Sequence, residues 1–154
     1  MIYSTNILLW NPYREILVVS RKENPKQFSM PGGKVDACDY SDYTDYYKHY
    51  KLPNPSLTVL RNTASRELKE ETGIYISPSD FQPVFTAAHK WKDLEYECTT
   101  FFAMSEAEPR AIEPGTWVGW RKPEDLVNPE LNPFWDFVVR LYDFIGIRVS
   151  VKGT

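Results

Sequence analysis

Arg66-Glu67-Leu68-Lys69-Glu70-Glu71-Thr72-Gly73-Ile74 gathers three carboxylates within about one turn of a helix that stops at a glycine. With Leu60 as the zero of a helical wheel, Leu57, Leu60, Ala64 and Leu68 form an apolar stripe within roughly 80° of it. Glu67 and Glu71 fall within about 20° of that zero, beside the stripe, and Glu70 lies on its flank. Arg61, Asn62, Ser65 and Lys69 take the opposite side, expected to face solvent. Acids on the inward side of a helix repel one another and resist the loss of water. A divalent cation is the simplest partner for them. The bland alternative is a charged surface helix with a glycine stop, because charge runs usually form solvated faces.

Met30-Pro31-Gly32-Gly33-Lys34, at the end of a strand-like run, tips the balance. Successive glycines let the backbone come close to a ligand and allow positive φ. Together the two segments resemble the Nudix box of the MutT-like pyrophosphohydrolases. That family pattern is Gly, five residues, Glu, seven residues, then R-E-U-x-E-E-x-G-U, with U aliphatic. Gly33 opens it here, and Arg66, Glu67, Leu68, Glu70, Glu71, Gly73 and Ile74 complete its second half without a mismatch. The first half departs from the pattern. Thirteen residues separate the opening Gly from the Arg in the family, whereas residues 34–65 supply thirty-two, an insertion of nineteen. Counted back from Arg66, the family's first Glu, which supports the Arg, falls on Thr58; Asp36 or Asp39 is the candidate substitute.

The 154 residues suit one domain, 1–154, with an inserted segment at 36–56. A hydrophobic content of 42% with 25% charged residues is ordinary globular usage. The net charge of −3 argues against a nucleic-acid scaffold, whose footprint is basic, and so against a stable nucleic-acid partner. Cys38 and Cys98 are too few for a disulfide framework and are expected as free thiols. No apolar run approaches the ~20 residues that span a bilayer, so no membrane partner is expected and the expected compartment is the cytoplasm.

Strand and helix periods alternate along the chain. Ile2–Trp10 and Glu15–Ser20 read as strands around the turn signal Asn11-Pro12-Tyr13-Arg14, and Gln27–Met30 as a short strand leading to the glycines. Residues 36–56 hold Tyr40, Tyr43, Tyr46, Tyr47 and Tyr50 among acids and lysines, the composition of a surface excursion. Whether it packs on itself, closes over substrate with base-stacking tyrosines or joins a homodimer stays open. The acidic helix spans Leu57–Thr72. Pro83–Trp91 and Tyr96–Met104 then form a hairpin around Lys92-Asp93, followed by a strand at Thr116–Trp120 and a helical turn at Pro123–Leu126. A last helix runs from Pro133 to Ile145 and stops at Gly146.

The resemblance implies a mixed α/β (α+β) fold, the Nudix α/β/α sandwich with a mixed sheet. It implies a Mg²⁺ cofactor, with Mn²⁺ as the alternative ion, held by Glu67, Glu70, Glu71 and the Gly33 carbonyl. Arg66 is expected to orient Glu67 through a bidentate contact. Similar enzymes take a further Glu from a later loop as base; Glu113 is the nearest match, with Glu97, Glu106 and Glu108 as competitors. Arg21 and Lys34 flank the expected pocket as candidate phosphate ligands, or as solvated strand-end charges. Asn132, before the last helix, matches an Asn that pairs with the base in MutT-type purine nucleoside triphosphatases; it is equally a good N-cap for a helix with Pro133 at its start. Trp91, Trp117, Trp120 and Phe28 are base-stacking candidates or core residues, and His49 and His89 show no zinc spacing. The expected activity is hydrolysis of a nucleoside diphosphate linked to another group, first a purine nucleoside triphosphate. ADP-ribose-like or dinucleotide polyphosphate substrates are the alternative, and a non-hydrolytic nucleotide sensor is a third reading.

Overall fold

Nine residues, Ile2–Trp10, form strand β1, and its second half is apolar on both sides. Ile7 and Leu9 enter one core, and Leu8 and Trp10 enter another. A strand of this kind must be covered on both faces. The structure, a computed structural model, describes residues 1–21, 24–40 and 52–126. Within them, β6 (Leu94–Met104) runs parallel to β1 from Ile2↔Tyr96 to Trp10↔Met104. Phe101 and Ala103 thereby join Ile7 and Leu9, while Phe102 joins Leu8. β5 (Gln82–Trp91) is antiparallel to β6 through the two-residue turn Lys92-Asp93, whose φ values of 50° and 63° give the hand of twist a tight hairpin prefers.

On its other edge β1 divides its pairing. The Asn11 side-chain oxygen accepts from the amides of Tyr13 and Glu15, both at 3.0 Å, and turns the chain into β2 (Ile16–Arg21). β1 and β2 meet at Trp10↔Ile16. Further back, β1 pairs with β4 (Gly32–Lys34) through Ser4, Thr5 and Asn6. β2 pairs with β3 (Asn24–Ser29) and, along its opposite edge, with β7 (Trp117–Arg121). The result is a mixed seven-stranded sheet of order β3-β2-β1-β6-β5, with β4 on β1 and β7 on β2. The glycines expected to follow a strand are themselves in one. A Cβ at position 32 would overlap the Thr5 carbonyl, so β4 can lie against β1 only with glycine there.

Helix α1 (Leu57–Thr72) starts at Ser56, whose hydroxyl accepts from the Val59 amide, and ends at Gly73, which takes φ 73°. It lays Leu60, Ala64 and Leu68 on Ile7, Leu9, Leu17, Phe81 and Phe101. Fully buried Leu68 is worth about 2–5 kcal/mol against alanine in such a core. The opposite face buries Leu8, Trp10, Ile16 and Val18 with Leu126 of α2 (Pro123–Leu126). Helices on both faces of a mixed sheet make the expected α/β/α sandwich. The expected last helix, Pro133–Ile145, lies outside the described residues. Among those residues no helix is long and apolar enough to cross a membrane, and Cys38 and Cys98 are free thiols.

Two expectations for α1 fail for one reason. Ser65 is buried and donates to the Ile76 carbonyl at 2.6 Å, and Arg61 Nε reaches the Phe81 carbonyl at 3.1 Å. The segment after Gly73 folds back along the flank expected to be wet, with a 3-10 turn at Pro78–Asp80 against the helix. Leu57, at the helix start, has no such cover and is 41% exposed.

Candidate functional site

Arg66 presents five N–H groups, and each has an acceptor. Nε donates to Asp39 Oδ1 at 2.7 Å, and one terminal nitrogen to Asp39 Oδ2 and the Lys34 carbonyl, both at 3.0 Å. The other terminal nitrogen donates to Glu67 Oε1 at 2.9 Å and Glu70 Oε2 at 3.1 Å. The bidentate partner is therefore Asp39, and Glu67 takes a single bond, contrary to the expectation that the fork would grip Glu67. The fork needs two oxygens in one plane, and the fixed Asp39 carboxylate offers them.

Asp39 is held as firmly as Arg66. It closes a 3-10 turn at Ala37–Asp39 in which the Asp36 side chain caps the turn and Asp39 Oδ2 accepts the Asp36 amide at 2.8 Å. Burial resists ionisation of Asp39. The Arg66 bonds, the Asp36 amide and the Thr63 hydroxyl outweigh it and hold the carboxyl below its ordinary range. Bonding to Asp39 in turn pushes the Arg66 guanidinium above its usual value. Asp39, one of the two candidate substitutes, thus supports the arginine. Counted forward from Gly33, five residues lead to Asp39, the family's first acidic position. The insertion therefore follows Asp39, and nothing is missing at Thr58. Asp39 and Tyr40 are buried, and the Tyr40 hydroxyl donates to the Pro53 carbonyl. Residues 36–40 are thus part of the built structure, while 41–51 lie outside the described residues.

On the sheet side of α1 a cleft of about 430 Å³ is lined by Gly33, Glu67, Glu71 and Glu113, with Val19, Ser20, Thr116 and Val118 among its other walls. A Cβ on Gly33 would overlap the Glu67 carboxylate, so glycine is what lets β4 meet this acid. Burial raises the Glu67 carboxyl above its ordinary value, with Arg66 pulling the other way and Glu70 and Asp39 adding to the rise. Glu113 reaches the cleft from a turn in which its carbonyl accepts from the Thr116 hydroxyl at 2.7 Å and Gly115 takes φ 81°. Among the described residues the lining holds three carboxylates and no basic side chain. Hard oxygen donors of this kind suit Mg²⁺, which takes one or two carboxylates and keeps several waters. No three acidic, histidine or cysteine side chains among the described residues already stand as a gathered ligand set.

The cleft thus brings together Gly33, Glu67, Glu71 and Glu113. Glu70 is not among its lining residues and lies against Arg66, its side chain 55% exposed. Lys34 offers its carbonyl to Arg66, while its amine sits over the Tyr96 ring, 5.9 Å from the centroid. Arg21 ends β2 at an irregularity, its side chain outside the described set, as is that of Trp91; Asn132 and His49 also lie outside. Trp120 packs on the α1 core and Phe28 on the other. Trp117 is 37% exposed, edge-on to Phe28, with the Arg121 guanidinium 4.2 Å from its ring centroid. The sequence drew no attention to Ser20, Thr116 or Thr63. The fold alone brings Ser20 and Thr116 to the cleft and Thr63 to Asp39, and no local pattern marks them.

The family model of the NUDIX domain matches residues 2–141. No curated protein matches the sequence. Among solved structures, the chain is similar to the MutT protein of Methanosarcina mazei Go1, with TM-score 0.66 and 23% identity over 94% of this chain and 95% of that one. It is similar to the NUDIX domain of Shewanella oneidensis NrtR complexed with ADP ribose, with TM-score 0.64 and 16% identity over 94% and 86%. It is also similar to a C. elegans Ap4A hydrolase in a binary complex, with TM-score 0.62 and 13% identity over 94% and 98%. Identities this low establish a shared fold and leave the substrate open.

Proposed function

This chain belongs to the Nudix pyrophosphohydrolase family, and on that premise we propose that it hydrolyses a nucleoside triphosphate to the monophosphate and pyrophosphate in the cleft beside Gly33. The observation that carries the reading is the convergence of Glu67, Glu71 and Glu113 on one cleft with Gly33. Nudix hydrolases generally use divalent metal ions, and Glu67 and Glu71 with the Gly33 carbonyl would hold one here. When bound, the ion neutralises phosphoryl oxygens and makes water a better nucleophile. Glu113 is the general base: its carboxylate takes the proton of the attacking water as the oxygen–phosphorus bond forms and the bridging bond breaks toward pyrophosphate. Gly33 lets β4 come up against the Glu67 carboxylate, and Val19 and Val118 supply apolar walls beside the acids. Arg66 fixes the orientation of Glu67. The purine preference rests on Asn132 in the sequence.

The likeness to an Ap4A hydrolase and to an ADP-ribose complex favours a second reading, in which the leaving group is a nucleotide or sugar phosphate. Product analysis separates the two. Purified protein with Mg²⁺ is given dGTP, its 8-oxo form, ADP-ribose and a diadenosine polyphosphate, with Glu71→Gln as control. Pyrophosphate from a triphosphate, lost in Glu71→Gln, supports the first reading. Turnover of the linked substrates alone moves the chain to the second, and binding without any turnover overturns both.

A further inference from the structure

Thr63 lies on α1 one turn before Arg66, fully buried, and carries one hydroxyl hydrogen with two acceptors in reach. Asp39 Oδ2 is 2.7 Å away and the Val59 carbonyl 3.0 Å. A helical threonine ordinarily bonds back to the carbonyl four residues earlier. Here the shorter, charge-assisted contact to a carboxylate takes the hydrogen. Asn62, the neighbouring residue, donates from Nδ2 to the Asp39 carbonyl at 2.9 Å. The helix that carries the acids thus reaches back through two adjacent side chains to hold the aspartate that holds Arg66. The family's pattern has glutamate where Asp39 stands, and an aspartate reaches less far by one methylene. A shorter acid must itself be placed well for the fork to close.

We propose that Thr63 is a positioning residue of the site: its hydroxyl fixes Asp39, Asp39 fixes Arg66, and Arg66 fixes Glu67 at the cleft. The proposal rests on the hydrolytic reading above only for its kinetic readout. Its primary readout is Mn²⁺ affinity of the folded protein, followed by electron paramagnetic resonance in wild type, Thr63→Val, Thr63→Ser and Asn62→Ala. Partners one step behind a metal ligand typically matter 10–100-fold for affinity or activity; Thr63 stands three contacts behind Glu67, which puts its effect at the low end of that range. Thr63→Val keeps the shape and removes the hydroxyl; it is expected to weaken Mn²⁺ about tenfold and to lower kcat by a similar factor with KM within about twofold. Thr63→Ser is expected to restore both to within about twofold. Asn62→Ala, at a partly exposed position, should move Mn²⁺ affinity two- to threefold in the same direction and decides the matter if Thr63→Val does not fold.

A folded Thr63→Val that melts earlier yet binds Mn²⁺ as wild type does overturns the proposal, because a merely structural threonine behaves that way. So does an Asn62→Ala indistinguishable from wild type where Thr63→Val gives no folded protein. A wild type that turns over no nucleotide overturns the hydrolytic reading instead, and the Mn²⁺ series then judges Thr63 by the same margins.

Discussion

The two flanks of α1 arrange their carboxylates differently. On one flank Asp39, Glu67 and Glu70 surround Arg66, and all five guanidinium donors are used. On the other, Glu67, Glu71 and Glu113 line a cleft whose described walls include no cation. Glu67 belongs to both, its side chain 16% exposed. Arg66 thus closes one flank around its acids, and the other flank opens as a cleft of about 430 Å³. A closed flank gives rigidity, and an open one gives chemistry.

If the flanks differ in this way, neutralising the acids one at a time will separate them. Glu67→Gln and Glu71→Gln are each expected to lower kcat by about three orders of magnitude with little change in melting temperature. Glu70→Gln, outside the lining, is expected to cost only about tenfold. Steady-state kinetics on one nucleotide checks all three. Equal losses in Glu70→Gln would break the contrast, showing that Glu70 leaves Arg66 for the cleft during turnover.

The next contrast sits within two adjacent glycines. A Cβ at Gly33 overlaps the Glu67 carboxylate, whereas one at Gly32 overlaps backbone of β1. Gly33→Ala should shift an acid in the cleft and lower kcat/KM about 100-fold in a folded protein. Gly32→Ala should separate β4 from β1 and reduce stability by about 1–3 kcal/mol. Urea unfolding beside kinetics distinguishes them, and similar stability losses in both variants would merge what the two flanks keep apart.

Much of this was written in local sequence. The limits of α1, the hairpin at Lys92-Asp93 and the strand Ile2–Trp10 follow from periodicity, caps and turns, which act between near neighbours. Glu67, Glu71 and Gly33 were legible for the same reason, since their spacing is the signal. Glu113 was placed by resemblance and does reach the cleft. The position of Asp39 was harder. Counting from Arg66 crosses the insertion and arrives at Thr58, while counting from Gly33 stays inside an uninterrupted turn. Ser65 misled because its partner, the Ile76 carbonyl, lies in a segment that folds back over the helix, and no wheel records that.

The closed flank should resist perturbation in its own way. Arg66→Ala leaves Asp39 buried beside no cation and should cost about 3 kcal/mol in urea unfolding. Adding Asp39→Asn should recover part of that loss, because the stranded charge is then gone. Arg66→Lys keeps the charge and loses the fork, so it should lose less stability than Arg66→Ala. A double variant no more stable than Arg66→Ala would mean that Asp39 is not the group Arg66 protects.

The smallest effect separates the flanks by the sign of their pH dependence. Asp39 is held below its ordinary range, so it binds fewer protons in the folded chain than in the unfolded one at acid pH. Its contribution is complete above the unfolded value of about 3.9 and is lost as pH falls through the lower folded value. The stability gap between wild type and Asp39→Asn should therefore hold near neutrality and close with acid. Glu67 is raised by burial, which reverses the sign. Its contribution declines as pH rises from the unfolded value of about 4.3 through the higher folded value. Glu67→Gln removes that decline, so it should gain on wild type as pH rises through this window, while losing activity. Urea midpoints across acid to neutral pH give both curves. Parallel slopes in the two variants would mean that Glu67 is already neutralised from the Arg66 side, and that Arg66 outweighs its burial.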